Sequence, residues 1–500
     1  QQPLPHPRSP PSNMMLTHAA AAASPRVDGR LAQGMWKRGA CAPRSAFMRP
    51  PRANAGASKP TRRGIIQSAG LGSLFPFGDK SKSAAAKAPS GGGSGTTGDV
   101  VAVVNGMRQV RMGGGDIVVS EIGLGTQRWG GADFNSPDEA ACHAFMDRAV
   151  LDKGLNLLDT AEQYPIPSDR ANPEGRTEKI IGSWMKQGAG RREKLVIATK
   201  ITGGANVTPR NIKKDLEGSL SRLGTDYVDM YLLHWPARYT PQSNWGQSLM
   251  YQVENEQAPW NKNATPFEEI AGAMGELIKE GKLRGWGMCN DNAYGLTASC
   301  YAARAVGAPP PCVMQGDFSI INRRIEENGV SEASSPYHEN VGFMGYNALA
   351  GGVLTGKYLD IPAAVDNAFP ALAEEQLQNP RGRMDDYGWG KTLYRYRSGP
   401  ADAATRQYAK LAAEAGMSLT ELSLRWCRQR ESLTTVVVGH TSMQQLDETL
   451  GYFESSTAPL SEDLMWEVDR IHMQNRLPIF ASTRVGRKST GKGEIGERIP

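Results

Sequence analysis

Short apolar runs that end on a polar residue recur along the middle of the chain. Three of them are LNLLDTAEQY (155–164), KLVIATK (194–200) and YVDMYLLH (227–234). A β-branched or leucine-rich run of five or six residues predicts a strand that is buried on both faces, as in a parallel sheet. Strands are predicted near residues 121–125, 155–159, 194–199, 227–233, 284–288, 312–316, 341–346 and 434–438.

Amphipathic segments occupy the gaps between these strands and predict helices. They include residues 137–153, 176–187, 209–223, 265–280, 292–306 and 442–453. The alternation favours a parallel sheet closed on itself, which is a (β/α)8 TIM barrel of the α/β class. Two short β runs within 101–119, joined by Met112–Asp116, predict a hairpin that closes the barrel floor. An open, doubly wound sheet is the alternative, and the lack of a GxGxxG after the first strand counts against it.

The polar residues at or just after the strand ends form a chemically coherent set. In a barrel the carboxyl ends of all the strands meet on one face, so Asp159, Tyr164, Lys200 and His234 are expected to surround one substrate. A lysine near a tyrosine hydroxyl lowers its pKa, an aspartate holds the lysine, and a histidine orients a carbonyl oxygen. Taken singly, Asp159 could cap a helix and the others could be rim or structural residues. Together the four predict a site for carbonyl reduction.

Six longer motifs point to a known family. They are GLGTQRWGG (123–131), LDTAEQYPIP (158–167), YLLHWP (231–236), GKLRGWGMCN (281–290), GYNALAGGVLTGKY (345–358) and VVVGHTSMQQLDETL (436–450). With them, residues 101–473 resemble the aldo-keto reductases, in the long-loop branch that includes the potassium-channel β subunits and the bacterial Tas-like proteins. The resemblance places the four polar residues on the family's catalytic tetrad. It implies NADPH-dependent reduction of a small-molecule aldehyde or ketone.

The same resemblance implies where the cofactor binds. Tyr346 matches the aromatic residue that stacks on the nicotinamide ring, and Asn290 and Gln315 match residues that bind its carboxamide. The other matched cofactor positions, from the mouth of the first strand to the adenosine end, are Gly125, Thr126, Asp159, Asn347, Leu349, Gly351, Lys357, Gly439, Thr441, Gln445 and Glu448.

Two departures from the family pattern affect the choice between NADP and NAD. Thr449 stands where an adenine-binding asparagine is usual, and residues 439–450 contain no Lys or Arg. NADP is favoured over NAD, and this preference would then depend on hydroxyls, amides and the arginines of the loop 381–397, because a guanidinium binds phosphate well. Arg397 is the residue we expect to contact the 2′-phosphate.

The sequence leaves several functional questions open. A regulatory or redox-sensing subunit that binds NADPH and turns over little is the main alternative to an enzyme. Two long connections, 237–264 and 357–401, follow predicted strands, and loops of that length are usually functional or disordered. Substrate identity resides in such loops, so the sequence does not name the substrate. It also leaves the oligomeric state open.

Charge separates the first 90 residues from the rest of the chain. They carry fourteen Lys and Arg and two Asp, which is a net charge of +12. Because the whole chain carries +6, residues 91–500 carry a net charge of −6. This leader is rich in Ala, Ser and Pro, which predicts a disordered transit peptide and linker over 1–97, before a barrel at 98–480 and a flexible tail at 481–500. Charges of both signs alternate along the barrel helices, so no nucleic-acid partner is expected.

The leader's composition favours import into a plastid stroma over a mitochondrion. Arg62-Arg63 before a mildly apolar stretch leaves a twin-arginine route to the thylakoid lumen as an alternative. No run approaches the length of a membrane helix, so membrane insertion is not expected. The six cysteines show no metal or disulfide spacing. Cys289 stands where the family usually carries serine, and it is interpreted either as a tolerated small residue or as a redox-sensitive one.

Overall fold

The computed structural model describes residues 95–241, 251–360, 380–385, 396 and 398–479. The predicted leader and tail lie almost wholly outside these residues, so their disorder and targeting stay predictions. The first described element is a three-stranded antiparallel sheet in the order β1-β2-β3. Its strands are β1 (Val100–Val104), β2 (Met107–Arg111) and β3 (Val118–Ser120). The predicted hairpin is confirmed as β2 and β3, and β1 adds a strand to its outer edge.

Eight further strands form a closed barrel, and adjacent strands are parallel. The barrel strands are β4 (Ile122–Gly125), β5 (Leu157–Asp159), β6 (Val196–Ile201), β7 (Val228–Leu233), β8 (Leu283–Cys289), β9 (Val313–Asp317), β10 (Gly342–Tyr346) and β11 (Thr435–Val438). All eight predicted strands are present, each within two residues of its predicted start. The (β/α)8 barrel is therefore confirmed, and the open sheet is excluded because β11 pairs with β4.

Helices follow the barrel strands as the apolar periodicity predicts. The predicted ones are Glu139–Met146, which continues as a π-helix over Asp147–Asp152, then Arg176–Lys186, Pro209–Leu223, Phe267–Lys279, Ala293–Ala305 and Met443–Phe453. Those not individually predicted are Val253–Glu256, Pro259–Lys262, Arg324–Glu327, Val330–Ser334, Gly399–Glu414, Leu419–Arg428 and Glu462–Gln474. Three short 3₁₀ segments, Arg192–Lys194, Gly204–Asn206 and Arg383–Asp385, and a longer one, Ala350–Thr355, complete the described elements.

Local capping signals mark the longer unpredicted helices. Ser398, Ser418 and Ser461 each accept a hydrogen bond from the backbone nitrogen three residues later, which satisfies a donor that the first helical turn leaves free. Ser418 with Glu421 also has the spacing of a capping box. These helices could therefore have been predicted from their first turns.

The barrel interior is filled from the floor upward by apolar side chains. Residues of the hairpin and of the strands form one buried cluster that contains Val110, Met112, Ile117, Val119, Leu157, Val196, Ala198, Met230, Leu232, Cys289, Val313, Met344 and Val437. Successive side chains of a strand point to opposite faces, so only every second residue of a barrel strand faces this interior. The hairpin thus closes the amino-terminal end of the barrel, and the polar strand ends lie at the other end.

Candidate active site

A polar layer lies directly above the apolar interior. Asp159, Lys200, His234 and Gln315 follow Leu157, Ala198, Leu232 and Val313, which are all members of the interior cluster, by two positions each. The two-residue strand repeat therefore turns them toward the same space inside the barrel mouth. Tyr164 joins them from the loop after β5. Their convergence follows from strand parity and barrel closure.

Lys200 is the centre of this layer. Its ammonium Nζ lies 2.7 Å from Asp159 Oδ1, 2.8 Å from the carbonyl oxygen of Thr160 and 3.5 Å from the hydroxyl of Tyr164. The Lys200 side chain is fully buried and that of Asp159 nearly so. A buried ammonium needs a charged partner and further acceptors, and the contacts of Lys200 supply both.

The ionisation of this group differs in one respect from the sequence prediction. Burial raises the pKa of Tyr164, and the opposing effect of Lys200 does not outweigh it. Tyr164 is thus a neutral phenol at physiological pH, whereas the sequence argument predicted a net lowering of its pKa. Burial alone would lower the pKa of Lys200, but Asp159 and the other neighbours raise it, so the lysine stays charged.

His234 lies beside the tyrosine. The two rings meet edge-on with centroids 5.8 Å apart, and the imidazole also lies nearly parallel to the Trp235 ring at the same centroid distance. Burial and the charge of Lys200 lower the pKa of His234 to about 3, so its imidazole is neutral. Its Nδ1 is buried and has no hydrogen-bond partner among the described residues. A neutral imidazole can donate one N–H to a bound carbonyl.

Two residues predicted to bind the nicotinamide lie together at the strand ends. The Tyr346 hydroxyl donates to Asn290 Oδ1 at 2.5 Å, and Asn290 Nδ2 donates to the carbonyl oxygen of His234 at 3.1 Å. Asn290 has a φ of 61°, a left-handed conformation that asparagine tolerates better than most residues. These contacts hold the Tyr346 ring against the barrel mouth. Gln315, the third predicted residue, instead contacts Asp159.

Small and backbone groups line the mouth above β4 and β11. Gly125 pairs with Asp159 across the strands, and Thr126 donates to the Asp159 carbonyl through its backbone nitrogen and its hydroxyl, the latter at 2.7 Å. A Cβ atom on Gly439 would lie 3.3 Å from the carbonyl oxygen of Gly125. Glycine at these two positions keeps side chains out of the mouth and leaves backbone exposed to a ligand.

The loop after β10 provides backbone amides and a cation. Leu349 precedes the 3₁₀ segment Ala350–Thr355, in which Gly351 has a φ of 66° and Gly352 one of 98°. Asn347, also left-handed, donates from its side chain to Tyr396 at 3.4 Å. The backbone nitrogens of Ala350 and Gly352 donate to the carbonyl oxygens of Asn347 and Leu349, so the turn is held from within, and its glycines allow a ligand to approach the backbone closely. These predicted residues lie together on one side of the mouth.

Several cations lie close to one another at this loop. Burial lowers the pKa of Lys357, and the nearby charges of Arg128, Arg383 and Arg381 lower it further against the opposing effect of Asp385. Burial and Arg128 lower the pKa of Arg383 to about 10. Arg383 also donates to Gln127 Oε1 at 3.2 Å, which joins the loop to the residues that follow β4. Like charges at close range favour a bound anion.

Arg128 was not among the residues predicted from the sequence. The sequence feature that could have indicated Arg128 is its position three residues after the end of the first barrel strand, at the face where the other site residues lie. Arg128 is ion-paired to Asp133 at 2.5 Å, and Arg381 is ion-paired to Asp360 and Asp385. Arg397 lies outside the described residues.

The predicted adenosine residues form a separate group at the start of the helix Met443–Phe453. Gln445 accepts from the backbone and the hydroxyl of Thr441, and Glu448 accepts from Gln444 at 2.9 Å. Gln445 and Glu448 are exposed on this helix. Thr449 is buried and donates to the carbonyl oxygen of Gln445, so its hydroxyl serves the helix.

Cys289 is enclosed by the barrel interior. It is 2% exposed, and burial raises the pKa of its thiol. Redox-sensitive cysteines are usually accessible and have a lowered pKa. Both observations argue against the redox interpretation.

The comparisons with known proteins agree with this geometry. The sequence profile of the aldo/keto reductase family matches residues 121–472. This chain belongs to the aldo/keto reductase family. Among its relatives is the protein named Protein tas of Escherichia coli strain K12, which is 32% identical over 383 residues that cover 74% of this chain and 99% of the relative. Protein tas of Shigella flexneri matches to the same extent.

A shorter relative is an aldo-keto reductase of Babesia bovis, 30% identical over 300 residues that cover 57% of this chain and 98% of the relative. Membership of the aldo/keto reductase family makes the protein an oxidoreductase, and the family generally uses NAD(P)H. In the part of the chain that the structure describes, no helix is both long and apolar enough to cross a membrane, and no group of three His, Cys, Asp or Glu could hold a metal ion.

Proposed function

We propose that this protein is an NADPH-dependent reductase of aldehyde or ketone carbonyls, with Asp159, Tyr164, Lys200 and His234 as its catalytic residues. The observation that carries the proposal is the fully buried Lys200, which contacts both the Asp159 carboxylate and the Tyr164 hydroxyl. Burying a charged lysine carries a desolvation cost, which its ion pair with Asp159 and its bond to the Thr160 carbonyl oxygen offset. Here the ammonium is aimed at a neutral phenol, which is the protonation state that a proton donor needs.

The residues divide the reaction between them. A bound NADPH would supply the hydride that reduces the carbonyl carbon. Tyr164 donates its phenolic proton to the carbonyl oxygen, which gives the alcohol, and regains a proton from solvent. Lys200 stabilises the phenolate that forms, and Asp159 keeps Lys200 in place. His234, neutral because of its burial, orients the carbonyl oxygen by donating an N–H.

The residues at the mouth fit a dinucleotide cofactor. Tyr346 and Asn290 would hold the nicotinamide, and the turns around Gly351 with Lys357 would hold the pyrophosphate. The cations Arg128 and Arg383 lie close together and would attract one more phosphate than NAD carries. They therefore favour NADP over NAD. The sequence prediction that Arg397 contacts the 2′-phosphate belongs to this proposal. The residues Gly439, Thr441, Gln445 and Glu448 would hold the adenosine end.

Substitution of Tyr164 by phenylalanine tests the reaction most directly. The ring and its packing are kept while the proton donor is lost, so kcat for NADPH oxidation with a panel of aldehydes and ketones should fall about 10²–10⁴-fold. NADPH affinity, measured by fluorescence titration, should stay within about twofold. Full turnover by Tyr164→Phe would refute the role of the tyrosine.

The wild-type protein is the other arm of this experiment. Tight NADPH binding without tyrosine-dependent turnover on any carbonyl in the panel would reject the reductase and favour the regulatory or redox-sensing alternative. Replacing the exposed Tyr337, which is 92% exposed, by phenylalanine serves as the matched control and should leave kcat unchanged.

A further inference from the structure

The amide of Gln315 connects the catalytic residues to a cysteine deeper in the barrel. Its Nε2 lies 2.6 Å from Asp159 Oδ1 and 2.9 Å from Met344 Sδ, and its Oε1 lies 3.2 Å from Cys289 Sγ. Asp159 Oδ1 is also the oxygen that accepts the hydrogen bond from Lys200. A continuous path of hydrogen bonds therefore runs from Cys289 through Gln315 and Asp159 to Lys200.

Chemistry dictates the direction of each of these bonds. Asp159 is ion-paired and accepts only, so the nitrogen end of the Gln315 amide must face it. The amide oxygen then faces Cys289, whose thiol must donate. Burial raises the pKa of Cys289, so the thiol keeps its proton. If the amide were reversed, its oxygen would face the carboxylate and two acceptors would be opposed.

The strands hold these groups in register. Cys289 and Gln315 are directly paired residues of β8 and β9, and Gln315 is paired with Met344 of β10. Cys289 and Gln315 are each 2% exposed, so water does not compete for their hydrogen bonds. In an interior without water, an amide or carboxylate that lacks a hydrogen-bond partner is costly in free energy. The loss of any one bond in the path should therefore be costly.

We propose that Gln315 is a positioning residue for Asp159, and that the Cys289 thiol fixes the orientation of its amide. The proposal rests on the proposed function, in which Asp159 holds Lys200 and Lys200 acts on Tyr164. A carboxylate oxygen with one donor can swing about that donor, whereas a second donor on the same oxygen fixes its position. The Lys200 ammonium is then held 3.5 Å from the Tyr164 hydroxyl.

This role is compatible with the carboxamide contact that the family resemblance predicts for Gln315. An amide oxygen accepts two hydrogen bonds, and the thiol uses one of them. It also makes the chemistry at position 289 specific. A serine hydroxyl would donate to Gln315 as the thiol does, whereas an alanine would not.

Four variants test the proposal through turnover: Gln315→Met, Cys289→Ala, Cys289→Ser and the double variant Cys289→Ala/Gln315→Met. We expect Gln315→Met to lower kcat about tenfold and Cys289→Ala about threefold, with Cys289→Ser within about twofold of the wild type. Because Cys289 acts through Gln315, the double variant should be no worse than Gln315→Met alone. Cys300→Ala, which removes a buried thiol elsewhere, should leave kcat unchanged.

The pH profile separates positioning from packing. In the direction of alcohol oxidation, Tyr164 must lose its proton, and a displaced Lys200 would favour the phenolate less. The rising limb of kcat against pH should therefore move to higher pH in Gln315→Met and Cys289→Ala, and stay in place in Cys289→Ser. If the losses of kcat in the two single variants added up in the double variant and the rising limb did not move, Cys289 and Gln315 would contribute only packing. Weaker NADPH binding with unchanged kcat would make Gln315 a cofactor contact only, and either result would overturn the proposal.

An infrared measurement tests the first bond without any turnover. The S–H stretch of Cys289 can be isolated as the difference between wild type and Cys289→Ser. In the Gln315→Met background this band should move to higher frequency, because the acceptor is gone. An unchanged frequency would show that the thiol does not donate to Gln315. If the wild type reduces no carbonyl, the proposed function fails, yet the infrared result still decides whether the Cys289–Gln315 bond exists.

Discussion

The floor and the mouth of the barrel are buried to the same degree but carry different chemistry. At the floor, Met112 and Val119 are fully buried among apolar side chains. At the mouth, Lys200 is as fully buried, among an aspartate, a tyrosine and a glutamine. The floor gains stability from the burial of apolar area, while the mouth bears the cost of desolvating polar groups. The same degree of burial therefore stabilises the fold at the floor and costs stability at the mouth.

Removing the lysine should affect the mouth most strongly. Lys200→Met leaves the Asp159 carboxylate buried without its charged partner, so we expect a stability loss of about 3–5 kcal/mol and a loss of turnover of at least about 10²-fold. Urea denaturation and NADPH oxidation measure the two effects. The double variant Asp159→Asn/Lys200→Met should recover most of the stability and none of the turnover. If activity returned with stability, the lysine would be structural only.

Removing apolar volume from the floor should lower stability without lowering activity. Ile117 is 2% exposed, and its Cδ1 approaches Gly285 of β8, so Ile117→Ala should cost about 2–5 kcal/mol of stability. The kcat/KM measured well below the melting temperature should stay within about twofold. Val103→Ala on β1, where the side chain is 54% exposed, is the matched control and should change stability by less than about 0.5 kcal/mol. A large fall in kcat/KM would show that the two ends are coupled.

Acid should destabilise the protein through two buried histidines, His234 after β7 and His440 after β11. Burial lowers the pKa of His234 to about 3 and that of His440 to about 4. Below pH 6.5 the unfolded chain therefore binds protons that the folded state does not, and the stability present above that pH is lost as pH falls toward 4. Each such histidine contributes a slope of about 1.4 kcal/mol per pH unit within this window.

Denaturation between pH 7 and 4.5 checks this slope. His440→Gln should reduce it by about 1.4 kcal/mol per unit. His338→Gln, at an exposed position, should leave it unchanged. An equal slope in all three proteins would show that the buried histidines do not titrate as proposed.

The loop cations should have the smallest effect, and it should fall on binding. Arg383→Ala removes one charge from the group near Lys357, so NADPH affinity should fall about tenfold, which corresponds to about 1.4 kcal/mol. Arg397→Ala should lower the ratio of NADPH to NADH affinity if that residue contacts the 2′-phosphate. Arg304→Ala, whose partner is Glu339, is the control. Equal weakening of NADPH and NADH by Arg383→Ala would assign it to the pyrophosphate.

Much of the barrel was predictable because its signals are local. Several strands are short apolar runs with a polar residue at or next to the end, so Leu157–Asp159 and Val196–Ile201 could be placed without knowing their neighbours. The tetrad candidates followed from the same pattern. The helices Gly399–Glu414 and Leu419–Arg428 were not individually predicted, although their serine caps were visible.

The details of the site were less predictable because they depend on residues far apart in the chain. Cys289, Gln315 and Asp159 meet only after the barrel closes, so the sequence did not indicate that the Gln315 amide contacts Asp159. The pKa shift of Tyr164 was also predicted in the wrong direction. Lys200 lowers this pKa, but the desolvation that the closed barrel imposes raises it more.

The sequence by itself determined the order of the barrel strands and of six helices between them, the family, and which polar residues stand at strand ends. Periodicity and short motifs are properties of neighbouring residues, so they can be recognised in the sequence without knowledge of the fold. Only the tertiary structure decided which polar groups share hydrogen bonds, how dry they are, and that Arg128 joins Lys357 and Arg383. Burial and distance between strands arise when the barrel closes, and those two quantities set the ionisation and positioning of the catalytic residues.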